Sequence, residues 1–361
     1  MSELMHKAAE LINIASVSRN ETAIADLVEQ HLREIESLEV IRIENNVVAR
    51  TFFGRPMRLI LGGHLDTVPP SGNEAAEIRG DELFGCGSAD MKGGIAILMQ
   101  LASMTEAPVH DVTFIFYACE EVARAESGLL AIEATDPNIL LGDAAILLEP
   151  TNAIVEAGCQ GVMRLQVTLG GRRAHSARPW VGINAIHRVA SLLEIVAGFD
   201  ERMPVIDGCT YHETLQAVNI NGGVAGNVVP DEVTILLSHR FAPDRTIEEA
   251  EAAIRKLFDP VIDEQLGDEL VVVDAAPAAP PSLSHELLAR VVLESGSAPV
   301  AKIGWTDVAF FFERNIPAVN FGPGDPLVAH GAGEFVRASD LDRVQQSLHA
   351  LLNSSSAAHQ S

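Results

Sequence analysis

Basic residues are the scarce charged class in this 361-residue sequence: 25 Lys and Arg stand against 50 Asp and Glu, a formal net charge of −25. A surface that acidic repels phosphate backbones and anionic lipid headgroups, which argues against nucleic-acid binding and membrane docking. Cysteine is almost absent. Its four copies, Cys86, Cys119, Cys159 and Cys209, lie far apart and form no CxxC pair, a pattern that predicts a reducing, cytoplasmic setting. No apolar run approaches the roughly 20 residues needed to span a bilayer. The opening MSELMHKAAELINIAS is amphipathic and lacks the basic start and apolar centre of an export leader. Three signatures are also missing: GxxxxGK[ST], HExxH and the GxSxG elbow of serine hydrolases. What the chain does have is apolar mass, 47% of its residues, enough for a large core, and a length that suggests two domains.

Through the first 150 residues apolar runs alternate with helical patterns. The periodicity predicts a helix over 22–35, strands over 58–61, 112–118 and 144–148, and a helix over 90–104, which is α/β grammar. After Pro150 the order becomes strand 162–169, helix 181–199, strands 215–220 and 233–240, helix 246–258 with Thr246 as N-cap, and strand 269–273. That β-α-β-β-α-β succession is a ferredoxin-like motif. A Pro/Ala link, AAPAAPPSLS, precedes a return to α/β grammar. The expected organisation is therefore a larger domain of residues 1–157 and 274–361, with residues 158–273 inserted. The tail SSSAAHQS should fray.

The acidic and histidine residues fall at telling places. His64 and Asp66 follow RLILGG, Glu120 and Glu121 follow VTFIFYAC, Glu149 follows AAILL, and His330 follows AVNF and a Gly/Pro loop. Polar side chains just past apolar strands sit where open α/β sheets place their ligand crevice. Asp90 in GCGSADMKGG occupies the position of a dinucleotide loop's third glycine. There it is expected to begin a helix, whose free N–H groups favour its charge. Two imidazoles with several carboxylates and no thiolate suit catalytic zinc. So many anions suit two ions bridged by one carboxylate. A lone histidine after a strand is most often a hydrogen-bonded rim residue, and a lone Glu-Glu pair a solvated face. The joint arrangement favours metal, because uncompensated neighbouring carboxylates repel.

These residues carry a resemblance. GGHLDTVP, GCGSADMKGGIA, YACEE, LLEPT, AHSARP, GNVVP and FGPG with a following histidine, in this order, resemble the M20 family of dinuclear zinc amidohydrolases and peptidases over nearly the whole chain. The resemblance implies a zinc-exopeptidase-like catalytic domain with a mostly parallel sheet, and an inserted α+β lid that also dimerises. It implies two Zn2+ per chain, with Co2+ or Mn2+ as substitutes. Asp90 would bridge them, His64 and Glu149 would complete one site, and Glu121 and His330 the other. Asp66 would hold the far nitrogen of His64, Glu120 would be the general base, and His175, from a partner subunit's lid, would steady the oxyanion. A cis peptide is implied between Asp90 and Met91.

The charge map adds a clue to the substrate. No acidic residue lies between Glu156 and Glu194, a window holding Arg164, Arg172, Arg173, Arg178 and Arg188. Such an island can capture carboxylates, or simply pair with neighbouring acidic residues. Arg178 stands three residues from His175, and the resemblance adds Asn227, Arg240 and Thr306 as substrate contacts. EPT, EAGCQG and RAHSARPW are similar to the actinobacterial desuccinylase branch of the family. They imply hydrolysis of a small anionic N-acyl amino acid, N-succinyl-LL-2,6-diaminopimelate, to succinate and LL-2,6-diaminopimelate. Deacetylation of N-acetylornithine and release of terminal glutamate are the alternatives, since they share every metal residue.

Overall fold

The computed structural model describes residues 3–353; the tail expected to fray lies outside the described residues. By contacts the chain divides into two compact units. One takes the residues up to Ala157, Ser282–Val300 and those from Phe310; the other takes Gly158–Pro281 and Ala301–Ala309. The inserted unit thus ends later than the sequence suggests. Its last strand runs on to Ala276, and Cys159 and Ala279 exchange two main-chain hydrogen bonds of 2.9 and 3.0 Å that close its base. Residues 301–309 join it through Trp305, whose Nε1 donates to the Pro277 carbonyl at 3.2 Å.

In the larger unit, strands Arg58–His64, Asp111–Tyr117, Ala144–Leu147 and Ala318–Asn320 run parallel at the centre of an eight-stranded sheet. Asn46–Arg50 extends one side antiparallel, and Glu156–Ala157 the other. Every residue of Asp111–Tyr117 is buried, as expected of a strand covered on both faces, which reads as a continuous apolar run instead of alternating. Each large apolar side chain so buried contributes about 1.5–3 kcal/mol. Helices Glu3–Ile12, Gly93–Met104 and Ala338–Asn353 pack on one another. Gly93–Met104 is buried along nearly its whole length.

The inserted unit is a four-stranded antiparallel sheet in the order Thr214–Gly222, Glu232–Phe241, Gly161–Gly170, Glu269–Ala276, which is the ferredoxin-like arrangement. Glu232–Phe241 alternates strictly between buried and more accessible residues, so one face is core and the other is not. Helices Ala185–Ala197 and Ile247–Phe258 lay Val189, Leu192, Ile254 and Phe258 into that core. Thr246 caps the second helix through a reciprocal capping box with Glu249. The first helix is shorter than its apolar pattern suggests: Asn184 caps it, and residues 179–181 form a separate single turn after Arg178. Among the described residues no helix is long and apolar enough to cross a membrane.

Candidate metal centre

The carboxyl ends of the parallel strands gather the acidic and histidine side chains in the larger unit. His64 is the last residue of its strand, Glu120 and Glu121 lie just beyond Tyr117, and Glu149 just beyond Leu147. Gly63 lets the site close up: a Cβ there would stand 2.5 Å from Met91 Cε, and the His64 N–H donates to Met91 Sδ at 3.3 Å. Cys119, immediately before the two glutamates, takes a left-handed φ of 60°, uncommon for a side chain of its kind, which turns the chain sharply at the strand end.

Asp90 departs from expectation. The helix begins at Gly93, and Asp90 (φ −121°, ψ 90°) lies outside it, with a cis peptide to Met91. The two imidazoles, not a helix N-terminus, face its charge; the cis bond is the one the resemblance implies. The two Asp90 oxygens face different imidazoles: Oδ1 is 3.0 Å from His64 Nε2, and Oδ2 is 3.4 Å from His330 Nε2. His330 Nε2 also stands 2.8 Å from Glu121 Oε1. Donor atoms of His64, Asp90 and Glu149 all lie within 4.8 Å of one another, as do those of Asp90, Glu121 and His330, and of His64, Glu120 and Glu121.

This donor set fits divalent cations. His64 Nδ1 lies 3.0 Å from the Asp66 main-chain carbonyl, which can only accept, so Nδ1 carries hydrogen and Nε2 is turned toward Asp90. The Asp66 carboxylate also faces Nδ1, its Oδ1 at 3.5 Å, and it binds main-chain amides as well. Its Oδ1 accepts the Glu120 N–H at 3.0 Å, and its Oδ2 accepts the Glu121 N–H at 3.1 Å and the Ser18 hydroxyl at 2.7 Å. Burial alone would raise the Asp66 pKa, but the His64 ring, Ser18 and the Glu120 amide draw it down to about 2. Burial likewise disfavours charge on His64, yet Asp66 and Asp90 hold its pKa well above the ordinary imidazole value. Hydrogen bonds to Asp90 and Glu121 push His330 up to about 10. Each imidazole nitrogen facing a carboxylate needs a positive charge between, and a metal ion supplies it as well as a proton does.

The remaining sequence-derived residues belong to the inserted unit. His175 pairs with Val228 on a two-residue ribbon, and the Ser176 N–H donates to the Asn227 carbonyl at 2.9 Å, so His175 and Asn227 are neighbours. The Ala177 N–H donates to His175 Nδ1 at 3.0 Å, so Nδ1 is the acceptor and Nε2 is the nitrogen left to donate. Arg178 is exposed, its N–H bonded to the His175 carbonyl. Arg240 is half-buried on the accessible face of its strand, and Thr306 is buried. Much of the basic island is paired: Arg164 with Asp274, Arg173 with Asp231, and Arg188 with Asp268. Two residues escaped the sequence reading, Ser18 and Glu334. Glu334 had a signal, since it stands four residues after His330 in HGAGE.

Fold and site together define an α/β protein whose strand ends assemble a carboxylate-rich, two-imidazole centre of the kind used by metal-dependent hydrolases. The chain belongs to peptidase family M20/M25/M40, whose model matches residues 60–354. It is 46% identical over 334 residues to the Mycobacterium tuberculosis protein named for succinyl-diaminopimelate desuccinylase DapE, covering 92% of this chain and 93% of that one. The succinyl-diaminopimelate desuccinylase of Corynebacterium glutamicum is 42% identical over 331 residues, covering 90% and 89%. Among solved structures, a Staphylococcus aureus tripeptidase superposes with a TM-score of 0.79 over 97% of this chain and 96% of that one, at 19% identity.

Proposed function

We propose that this chain is a metal-dependent amidohydrolase that cleaves N-succinyl-LL-2,6-diaminopimelate to succinate and LL-2,6-diaminopimelate. The observation that carries the reading is Asp90, whose two oxygens face two imidazoles that each have further carboxylates beside them. Relatives named for this reaction, 42–46% identical over about nine-tenths of the chain, support the substrate. Asp90, His64 and Glu149 would hold one ion, and Asp90, Glu121 and His330 the other. Zinc suits this borderline donor set, with Co2+ or Mn2+ substituting.

Bound ions would polarise the amide carbonyl and bring the pKa of water from about 15.7 toward 7. Glu120 takes the proton from the attacking water and returns it to the departing amine nitrogen, so its carboxylate ends as it began. Asp66, by holding both glutamate amides, keeps Glu120 and Glu121 in register. His175 donates from Nε2 to the oxygen that becomes negative. Arg178, Arg240, Asn227 and Thr306 meet the substrate's carboxylates. In a chain of net charge −25, such local cations and donors are what allow a tricarboxylate to bind. The working form is a homodimer through the lid, in the cytoplasm; the four free thiols agree with a reducing compartment.

The test is steady-state hydrolysis of N-succinyl-LL-diaminopimelate beside N-acetylornithine and a glutamate-terminated dipeptide, before and after chelation and zinc restoration. We expect the succinylated substrate to exceed the others in kcat/KM by at least a hundredfold and activity to vanish on chelation. Preference for another substrate would sink the desuccinylase reading, and full activity in the chelated protein would sink the metal reading.

A further inference from the structure

Outside the residues already given roles, Glu334 is a buried carboxylate, 1% exposed. Its Oε1 accepts the Ala89 N–H at 2.9 Å and the Asp90 N–H at 3.0 Å, and its Oε2 accepts the Gly87 N–H at 3.2 Å. Its main-chain carbonyl accepts from Gly85 N–H at 3.2 Å. Directly after it, Phe335–Arg337 pairs antiparallel with Glu82–Phe84, the strand that leads into the same loop. One residue therefore gathers the amides of GCGSAD, the loop that ends on Asp90, and stands four residues past His330.

The loop needs such a holder. Gly87 adopts φ +81°, and a Cβ there would stand 2.7 Å from Thr67 Cγ2, so the loop has no side chain of its own to fasten it at that point. Lys92, also buried, fixes its far end by donating Nζ to the Ile14 carbonyl at 2.7 Å. A buried carboxylate is costly to desolvate, and this one joins a centre that already contains Asp66, Asp90, Glu120, Glu121 and Glu149. Its charge is tolerable where cations neutralise the group, and three N–H donors arranged on one carboxylate fix a backbone more rigidly than one neutral acceptor.

We propose that Glu334 is a positioning residue: it fixes the Asp90 loop against the His330 loop, and thereby sets how tightly the centre holds the ion shared by Asp90, Glu121 and His330. This rests on the two-ion reading given above. Chelated, metal-free protein is titrated with Co2+, following its visible absorption and the heat of binding, for the native chain, Glu334→Gln and Glu334→Ala. Two ions are expected in the native chain. Glu334→Ala should weaken the second by about 10–100-fold, lower kcat in step, and leave KM within about threefold. Glu334→Gln, which keeps two acceptor contacts, should lose less. Both ions bound at native affinity by either folded variant would overturn the assignment. If Glu334→Ala does not fold, Glu334→Gln decides alone, because it retains the shape and most of the bonding. Glu334-dependent Co2+ binding in a native protein that leaves the succinylated substrate intact would overturn the substrate reading only. A native protein that takes up no Co2+ would overturn both.

Discussion

At the residue scale the centre turns on the difference between two adjacent glutamates. The left-handed turn at Cys119 precedes them, and the Asp66 carboxylate accepts from the amides of both, one on each oxygen. Glu121 stands 2.8 Å from His330, and Glu120 is the proposed proton acceptor. Replacing Glu120 with Gln removes the proposed proton acceptor but little volume. We expect turnover to fall by about 10²–10⁴-fold, while metal analysis still finds the native stoichiometry. Near-native turnover would show that another group is the base. Ser18 offers a finer probe. Its hydroxyl bond to buried Asp66 is charge-assisted, and Ser18→Ala should destabilise the chain by about 1.5–3 kcal/mol in denaturant unfolding. A smaller activity loss should accompany it, because the two glutamate amides still bind Asp66. Ser18 left no signal in the sequence and Glu334 only its spacing of four residues past His330, since each acts across a long separation through main-chain amides or a second carboxylate and neither leaves a periodic pattern. His64, Glu121, Glu149 and His330 were legible because strand ends are visible as apolar runs.

Elements were read best where one signal dominated. Asp111–Tyr117 and Glu232–Phe241 appeared almost to the residue, one as an unbroken apolar run and the other as an alternation, and Thr246 announced its helix by cap chemistry. The failures lie where local pattern and tertiary demand diverge. The apolar residues from Asp90 onward read as one helix, but the site requires Asp90 in an extended conformation, so the helix waits until Gly93. In the lid, Arg188 of helix Ala185–Ala197 grips Asp268 with two bonds of 2.5 and 2.6 Å, and Asp268 also accepts the N–H groups of Gly170 and Asp263. Burial would raise the Asp268 pKa; the Arg188 pair and the two amides outweigh it and hold it below the ordinary value. Because the folded value is the lower one, this carboxylate adds stability above the unfolded value of about 3.9, and the gain disappears as pH falls through the folded value. Asp268→Asn should therefore destabilise the chain at pH 7, by about 3–5 kcal/mol as expected for a broken buried pair. The difference from the native chain should shrink steadily below about pH 4. A deficit that is the same at pH 3 and pH 7 would remove the ionic explanation.

On the scale of the whole molecule, the proposed roles fall on residues of both units. All the candidate metal ligands and Glu120 belong to the larger unit, whereas His175, Arg178, Asn227, Arg240 and Thr306 belong to the inserted one. If the oxyanion donor comes from a partner's lid, one active site is built from two chains, and a defect in one unit can be repaired by an intact copy of that unit elsewhere. The geometry of His175 suits such delivery: its Nδ1 is occupied by the Ala177 N–H, and the residue is exposed on a short two-residue ribbon. Strand Thr214–Gly222, at the edge of the lid sheet, leaves Val218 and Ile220 55% and 48% exposed. An open edge with apolar side chains is a surface that pairs with another strand. The decisive measurement mixes two inactive proteins, His175→Ala and Glu120→Ala, under conditions of verified subunit exchange. A mixed dimer contains one site with both defects and one with an intact Glu120 facing an intact His175. At equal mixing half of the dimers are mixed, each with one of its two sites restored, so activity should return to about a quarter of the native value. If exchange proceeds and activity stays at the level of the separate variants, His175 works within its own chain or takes no part, and the site does not depend on the partner.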